Sequence, residues 1–225
     1  MNASWTAMCL CAALGVASGR ALAISTQSAA VDAALRLKPR LDRGAEIFEM
    51  CAACHGQDGH GASDGSVPAI AGQPVAVIVR QIVAFRYDSR LNVRMQHFVD
   101  RHHLESPQDL ADVAAYASSL PPRPATPAPE SAATRQAASL FAASCAGCHG
   151  TQGEGSPRVP RLAGQYAAYL DEQLHDAAEG RRPSMSRQHA RLLASLSSDD
   201  LEAISEYLAG VEPERRGTAP RRQGD

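Results

Sequence analysis

Aromatic side chains make up only 4% of this 225-residue chain, with four Phe, five Tyr and a single Trp. A domain of roughly 80 to 90 residues built with so few large side chains has a marginal core, because small domains bury a small share of their surface. Some other apolar centre is needed. Excess positive charge is also missing: 22 Lys and Arg against 24 Asp and Glu give a net charge of −2. That excludes the electrostatic footprint of a strongly basic nucleic-acid binder. No convincing run alternates apolar and polar residues, so β-strands are not expected and the fold class is all-α. Long hydrophobic runs are absent too, since the apolar stretch from Ala7 to Ala17 is too short to span a bilayer.

That stretch reads as the core of a secretory signal over residues 1–23, with Ala21-Leu22-Ala23 supplying the small-residue pattern before a cut. It departs from the usual pattern in having no Lys or Arg ahead of the apolar core, Arg20 lying on the far side. An uncleaved anchor is the rival reading. Trp5, Cys9 and Cys11 all fall inside the segment.

Four cysteines remain of the six, all in two copies of one motif: Cys51-Ala-Ala-Cys54-His55 and Cys145-Ala-Gly-Cys148-His149. C-x-x-C-H is the spacing of c-type haem attachment. Two thiols three positions apart can each add to a porphyrin vinyl group, and the adjacent histidine is then held beneath the iron as its proximal ligand. A thioredoxin-like dithiol would need a βαβ setting and no histidine. A zinc ribbon would put all four thiolates on one metal and leave His55 and His149 without a role. No cysteine is left for a structural disulfide or a catalytic thiol, so the covalent haem serves as the staple.

The duplication extends beyond the motifs. Gly56, Gly59 and Gly61 are echoed by Gly150, Gly153 and Gly155, and Val67-Pro68-Ala69-Ile70-Ala71-Gly72-Gln73 by Val159-Pro160-Arg161-Leu162-Ala163-Gly164-Gln165. Asp109-Leu110 with Tyr116 matches Asp200-Leu201 with Tyr207. Residues 121–130 hold five prolines, which favours an extended, semi-rigid connector. The boundaries expected are therefore a first domain over 24–120, a linker over 121–130, a second domain over 131–211, and a disordered charged tail over 212–225. Helical spacing runs before each haem motif, over Val75 to Tyr87 and Tyr166 to Asp176, and again from Ser106-Pro107 and from near Ser197, where caps and a first-turn proline mark helix starts.

With Ser66 to Gln73, Phe85-Arg86-Tyr87-Asp88-Ser89-Arg90-Leu91-Asn92 and Ala114-Ala115-Tyr116-Ala117-Ser118-Ser119-Leu120, the chain resembles the dihaem class I cytochromes c of the cytochrome c4 type over residues 40–211. The resemblance implies two tandem domains, each wrapped around one covalent haem c and related by a pseudo-twofold axis, that carry electrons in the periplasm. The methionines outside the signal are Met50, Met95 and Met185. Met50 directly precedes Cys51 on the proximal side, so Met95 and Met185 are the sixth iron ligands expected, in the places of the family's distal methionines. The segment ahead of Met185 is about two residues shorter than its counterpart ahead of Met95. A lone Met usually fills a core, and His97, His102, His103, His175 and His189 are alternative donors, most of them reading as solvated positions.

In such domains Pro68 and Pro160 would offer their carbonyls to the far nitrogen of the proximal histidine, fixing its orientation. Arg86, Arg90 and Arg94, with Arg181 and Arg182, either form a solvated charged face or pair with haem carboxylates. The function expected is electron transfer without catalysis, from a quinol-oxidising complex or dehydrogenase to a terminal oxidase or reductase, with peripheral membrane association compatible and nucleic acid excluded. Rival readings are the dihaem subunit of a flavocytochrome c sulfide dehydrogenase-like complex, a dihaem peroxidase, and a thiosulfate dehydrogenase.

Overall fold

The computed structural model describes residues 26–127 and 131–214, and among them it is helical with one isolated bridge, Ser156 to Val159. The signal segment lies outside the described residues. In the first domain a helical run α1 over 26–35 is followed by α2 (Leu41–His55), α3 (Val75–Arg86), α4 (Val93–Phe98) and α5 (Pro107–Ser119). The second repeats the plan with α6 (Ala132–Ser144), α7 (Ala146–His149), α8 (Ala167–Ala178), α9 (Arg187–Ala194) and α10 (Ser198–Gly210).

Each domain is built on the crossing of its first and last long helices, α2 on α5 and α6 on α10, with α3 and α8 packed on the same partners. The crossings carry matching ring pairs: Phe48 and Tyr116 with centroids 5.2 Å apart, Phe141 and Tyr207 at 5.9 Å. In the first crossing the backbones come so close that a Cβ on Gly44 would lie 2.2 Å from the Asp112 carbonyl oxygen. The starts of α5 and α10 are fixed by full capping boxes, Ser106 with Asp109 and Ser197 with Asp200, which satisfy amides that the first helical turn leaves bare. The first core is the larger, gathering Phe48, Val79, Val83, Leu104, Leu110 and Ala114. It also takes in Ala34 of α1, an element that the sequence patterning did not announce.

The domains meet through a reciprocal exchange. The Gln73 side chain donates to the Arg161 carbonyl at 2.8 Å and accepts from the Arg161 amide at 3.1 Å. Gln165 does the same to Ala69, at 2.8 and 3.0 Å. Positions 69 and 161, and 73 and 165, are repeat equivalents, so the bonds obey the pseudo-twofold relation. Arg161 adds a bond to the Ala71 carbonyl at 2.8 Å. The connector is not a free spacer: Arg123 is buried, bonds the Gly164 carbonyl at 3.0 Å and stacks over the Tyr166 ring at 4.2 Å. The Thr126 amide reaches the Ala209 carbonyl, so its described part is strapped to the second domain. Glu212 accepts from the Ala125 amide, and Pro213 is buried against Gly164. The tail expected from 212 thus starts with packed residues, and 215–225 lie outside the described residues.

Because the interface is buried and reciprocal, a chain cut at a protease site inserted within 128–130 is expected to elute from a sizing column as one species. Gln73→Ala combined with Gln165→Ala should let the halves separate, and separation of the halves without those substitutions would count against the interface.

Asp112 of α5 is buried and accepts from the Arg40 amide at 2.8 Å, the Arg40 guanidinium at 2.8 and 3.1 Å, and Gln108 at 2.6 Å. Burial alone would raise its carboxyl, but these donors together hold it below the usual carboxylate range. A depressed carboxyl stabilises the fold fully above its unfolded value of about 4, and that contribution fades as pH falls through the folded value. Asp112→Asn is expected to cost about 1–3 kcal/mol at neutral pH and progressively less in acid, read from urea titrations of the holoprotein at pH 7 and pH 3.

Candidate functional site

Helix α2 ends on the first C-x-x-C-H motif, with His55 its last residue, and α7 consists of the end of the second motif, closing on His149. Both imidazoles are buried. Glycine follows each histidine at positive φ, 77° at Gly56 and 83° at Gly150, and stops the helix. The chain then turns back so that Gly61 and Gly155 amides bond the His55 and His149 carbonyls, both at 2.7 Å. This return brings a proline carbonyl under each ring: His55 Nδ1 donates to Pro68 at 3.0 Å, and His149 Nδ1 to Pro160 at 3.1 Å. Gly61 (φ 79°) is required there, since a Cβ would lie 2.6 Å from that same Pro68 oxygen.

With Nδ1 engaged, Nε2 of each ring is the atom left to ligate. Burial lowers both imidazole pKa values, partly opposed by the proline carbonyl, so both rings are neutral near pH 7 and fit to bind a metal. The first thiol of each motif is not poised for redox chemistry: burial pushes Cys51 up to about 11 and raises Cys145 as well, whereas a reactive thiol needs a lowered value. Cys54 and Cys148 are exposed. Among the described residues no three or more His, Cys, Asp or Glu side chains gather as a metal cluster, and a zinc ribbon's four converging thiolates are not formed.

On the distal side, Met95 is half-buried, packs against the core cluster that also takes in Cys51 and Ile70, and sits in the first turn of α4 under the Asn92 cap. Arg86 ties down the following loop by bonding the carbonyls of Val99 and Leu104 at 2.7 and 2.9 Å. Met185 lies just ahead of α9 and packs with Ala177, Leu193 and Leu201. His97, His102 and His103 are exposed, His103 bonding Asp100, and His175 bonds the Asp171 carbonyl of its own helix. His189 differs: its ring centroid is 6.0 Å from that of His149.

Two of the arginines read as either a solvated face or partners of haem carboxylates are at the domain interface. Arg90 is buried and bonds Gln81, Tyr169 and Gln173 at 2.7, 2.6 and 2.7 Å, reaching into the second domain. Arg182 reaches back to the same Gln81 oxygen at 3.3 Å. Burial, then the nearby Arg90 charge, lowers its pKa to about 10. Its Nε is buried without a hydrogen-bond partner. Two cations whose hydrogen-bond partners among the described residues are all neutral, with one orphaned donor, fit an anionic group such as a haem carboxylate. Gln81, Gln173 and Tyr169 were not legible as members of this cluster, although the first two are repeat equivalents.

The protein-family model for cytochrome c matches residues 41–121 and 135–212. Cytochrome c4 of Azotobacter vinelandii is 33% identical over 181 residues, 72% of this chain and 84% of that protein. A thiosulfate dehydrogenase electron acceptor of Stutzerimonas stutzeri is 29% identical, with 88% of this chain and 94% of that protein covered. The crystal structure of reduced recombinant cytochrome c4 from Pseudomonas stutzeri superposes with a TM-score of 0.70 at 31% identity, over 77% of this chain and all of that one.

Each C-x-x-C-H carries one covalent haem c, so Cys51→Ala with Cys54→Ala is expected to remove one of two porphyrins. Intact mass after acid–acetone extraction of non-covalent haem measures it directly. A wild-type mass with no added porphyrin would contradict the attachment.

Proposed function

Because the chain belongs to the cytochrome c family, as a two-domain protein of the cytochrome c4 type, we propose that it is a periplasmic electron carrier. It takes electrons from a quinol-oxidising complex or a dehydrogenase and hands them to a terminal oxidase or reductase. One observation carries the reading: two buried histidines, each at the end of an attachment motif and each fixed by a proline carbonyl, stand in two domains locked face to face.

In this reading His55 and His149 are the proximal ligands and Met95 caps the first iron, while for the second the sequence nominates Met185 and the fold adds His189. Each haem supplies a one-electron couple. Nδ1 bonding to Pro68 and Pro160 holds the rings in one tautomer and raises their basicity toward iron. Arg90 and Arg182 take haem carboxylates at the interface, where charge pairing and the Arg182 Nε bond would satisfy donors now facing neutral groups. A centre capped on both faces offers no open position to a substrate, which favours a carrier over an enzyme. Similarity to a thiosulfate dehydrogenase electron acceptor favours a dehydrogenase among the donors. The N-terminal signal pattern supports the periplasm, and no helix among the described residues is long and apolar enough to cross a membrane.

The test uses purified holoprotein in redox-titrated optical spectroscopy, followed by electron exchange with a respiratory dehydrogenase and a terminal oxidase. Rapid reduction and reoxidation without turnover of peroxide or thiosulfate is expected. Steady turnover of either would overturn the carrier reading. Met95→Ala should open the first iron to carbon monoxide and lower its potential, because thioether ligation favours the ferrous state.

A further inference from the structure

We propose that the second iron is held between His149 and His189, so that one chain carries two unlike haems, thioether-capped in the first domain and imidazole-capped in the second. This rests on the dihaem reading above. Two independent observations lead to it.

The first is distance. A metal–imidazole bond is about 2 Å, so two imidazoles on opposite faces of one metal have ring centroids about 6 Å apart. His149 and His189 stand at 6.0 Å, with their planes inclined by 44°. His149 has its Nδ1 committed to Pro160 on the proximal side, leaving its other nitrogen for the metal. The His189 ring is half-buried, and no hydrogen bond engages it among the described residues. His55 has no imidazole in ring contact among the described residues.

The second is position in the repeat. In the first domain Asn92 caps α4, and its side-chain oxygen accepts from the Met95 amide at 3.0 Å. In the second, Ser186 caps α9, and its hydroxyl accepts from the His189 amide at 3.2 Å. Met95 and His189 are therefore the same residue of the same capped turn, three positions after the cap. Side chains at equal helical positions leave the helix in equal directions. Met185 lies one residue ahead of the cap, its amide bonded to Arg182. It packs with Ala177, Leu193 and Leu201, in a cluster that shares only Leu174 and Leu196 with the one that holds Phe141, Leu170 and Cys145. It fills a hole, as methionines commonly do. Sequence order suggested Met185 because it is a methionine in about the right place, but the capped turn counts differently.

The chemical consequence is a potential gap. Replacing thioether by imidazole removes the ligand that favours ferrous iron, so the second haem is the weaker oxidant of the two. An electron arriving on the second domain would then move on to the first.

The test compares holoprotein variants by optical and electron paramagnetic resonance spectroscopy with potentiometry. In the oxidised wild type the methionine-to-iron band is expected at half the intensity of two thioether-ligated haems. His189→Met should double it and raise the lower potential, His189→Ala should open one iron to carbon monoxide, and Met185→Leu should change none of these. Loss of half the band on Met185→Leu, or unchanged spectra and potentials in both His189 variants, would overturn the assignment while two covalent porphyrins in the intact mass leave the dihaem reading standing. Absence of those porphyrins would overturn both.

Discussion

Each domain depends on one hydrogen bond, from a buried histidine Nδ1 to a proline carbonyl. A buried imidazole without a partner is costly, on the order of 1–3 kcal/mol, and the proline carbonyl meets that need on the face away from the ligating nitrogen. Reaching it takes a chain reversal at positive φ, which is why Gly61 and Gly155 precede the prolines. The same segment then continues into the domain interface. Pro68 bonds His55, the next residue Ala69 exchanges both backbone groups with Gln165, and Gln73 does so with Arg161. The orientation of one proximal ring is thus coupled within a few residues to the position of the other domain. Only a few residues of loop thus separate each proximal histidine's partner from the contacts that join the domains.

Much of this was legible in the sequence because the chemistry is local. Two thiols and a histidine at fixed spacing, a glycine turn and a proline declare a site within about twenty residues, and repetition confirms it. Helix starts at Ser106 and Ser197 were legible for the same reason, since a capping box is a four-residue signal. What was missed is non-local. Arg90 and Arg182 read as either a solvated face or partners of haem carboxylates, and only the meeting of two domains brings Arg90 to Gln81, Gln173 and Tyr169 and Arg182 to the same Gln81. The connector's prolines did give an extended path, but Arg123 docks it through contacts with Gly164 and Tyr166 that lie some forty residues away. The short helices α4 and α9, six and eight residues long, were not among the helical runs read from the sequence.

Duplication makes the divergences informative. The interface keeps its symmetry to within a few tenths of an ångström in the glutamine bonds, because each half of a reciprocal exchange leaves the other's backbone unpaired if it changes. The distal segments are under no such constraint. They face different clusters, differ in length, and place a thioether in one capped turn and an imidazole in the other. Drift was therefore permitted where the two halves act alone and suppressed where they act on each other.

The interface also bears on how so aromatic-poor a chain holds together. Guanidinium groups stay charged at any physiological pH, and moving one out of water costs several kcal/mol unless an anion repays it. Arg90 and Arg182 share Gln81, and among the described residues no carboxylate bonds either of them and the Arg182 Nε has no hydrogen-bond partner. Such a pair is a burden on the polypeptide alone and an asset once carboxylates from two haems lie between the domains. On the proposed placement of haem carboxylates beside Arg90 and Arg182, haem loading and domain docking would be linked: each haem would add an apolar centre to its domain, and its carboxylates would neutralise the two cations that meet at the interface.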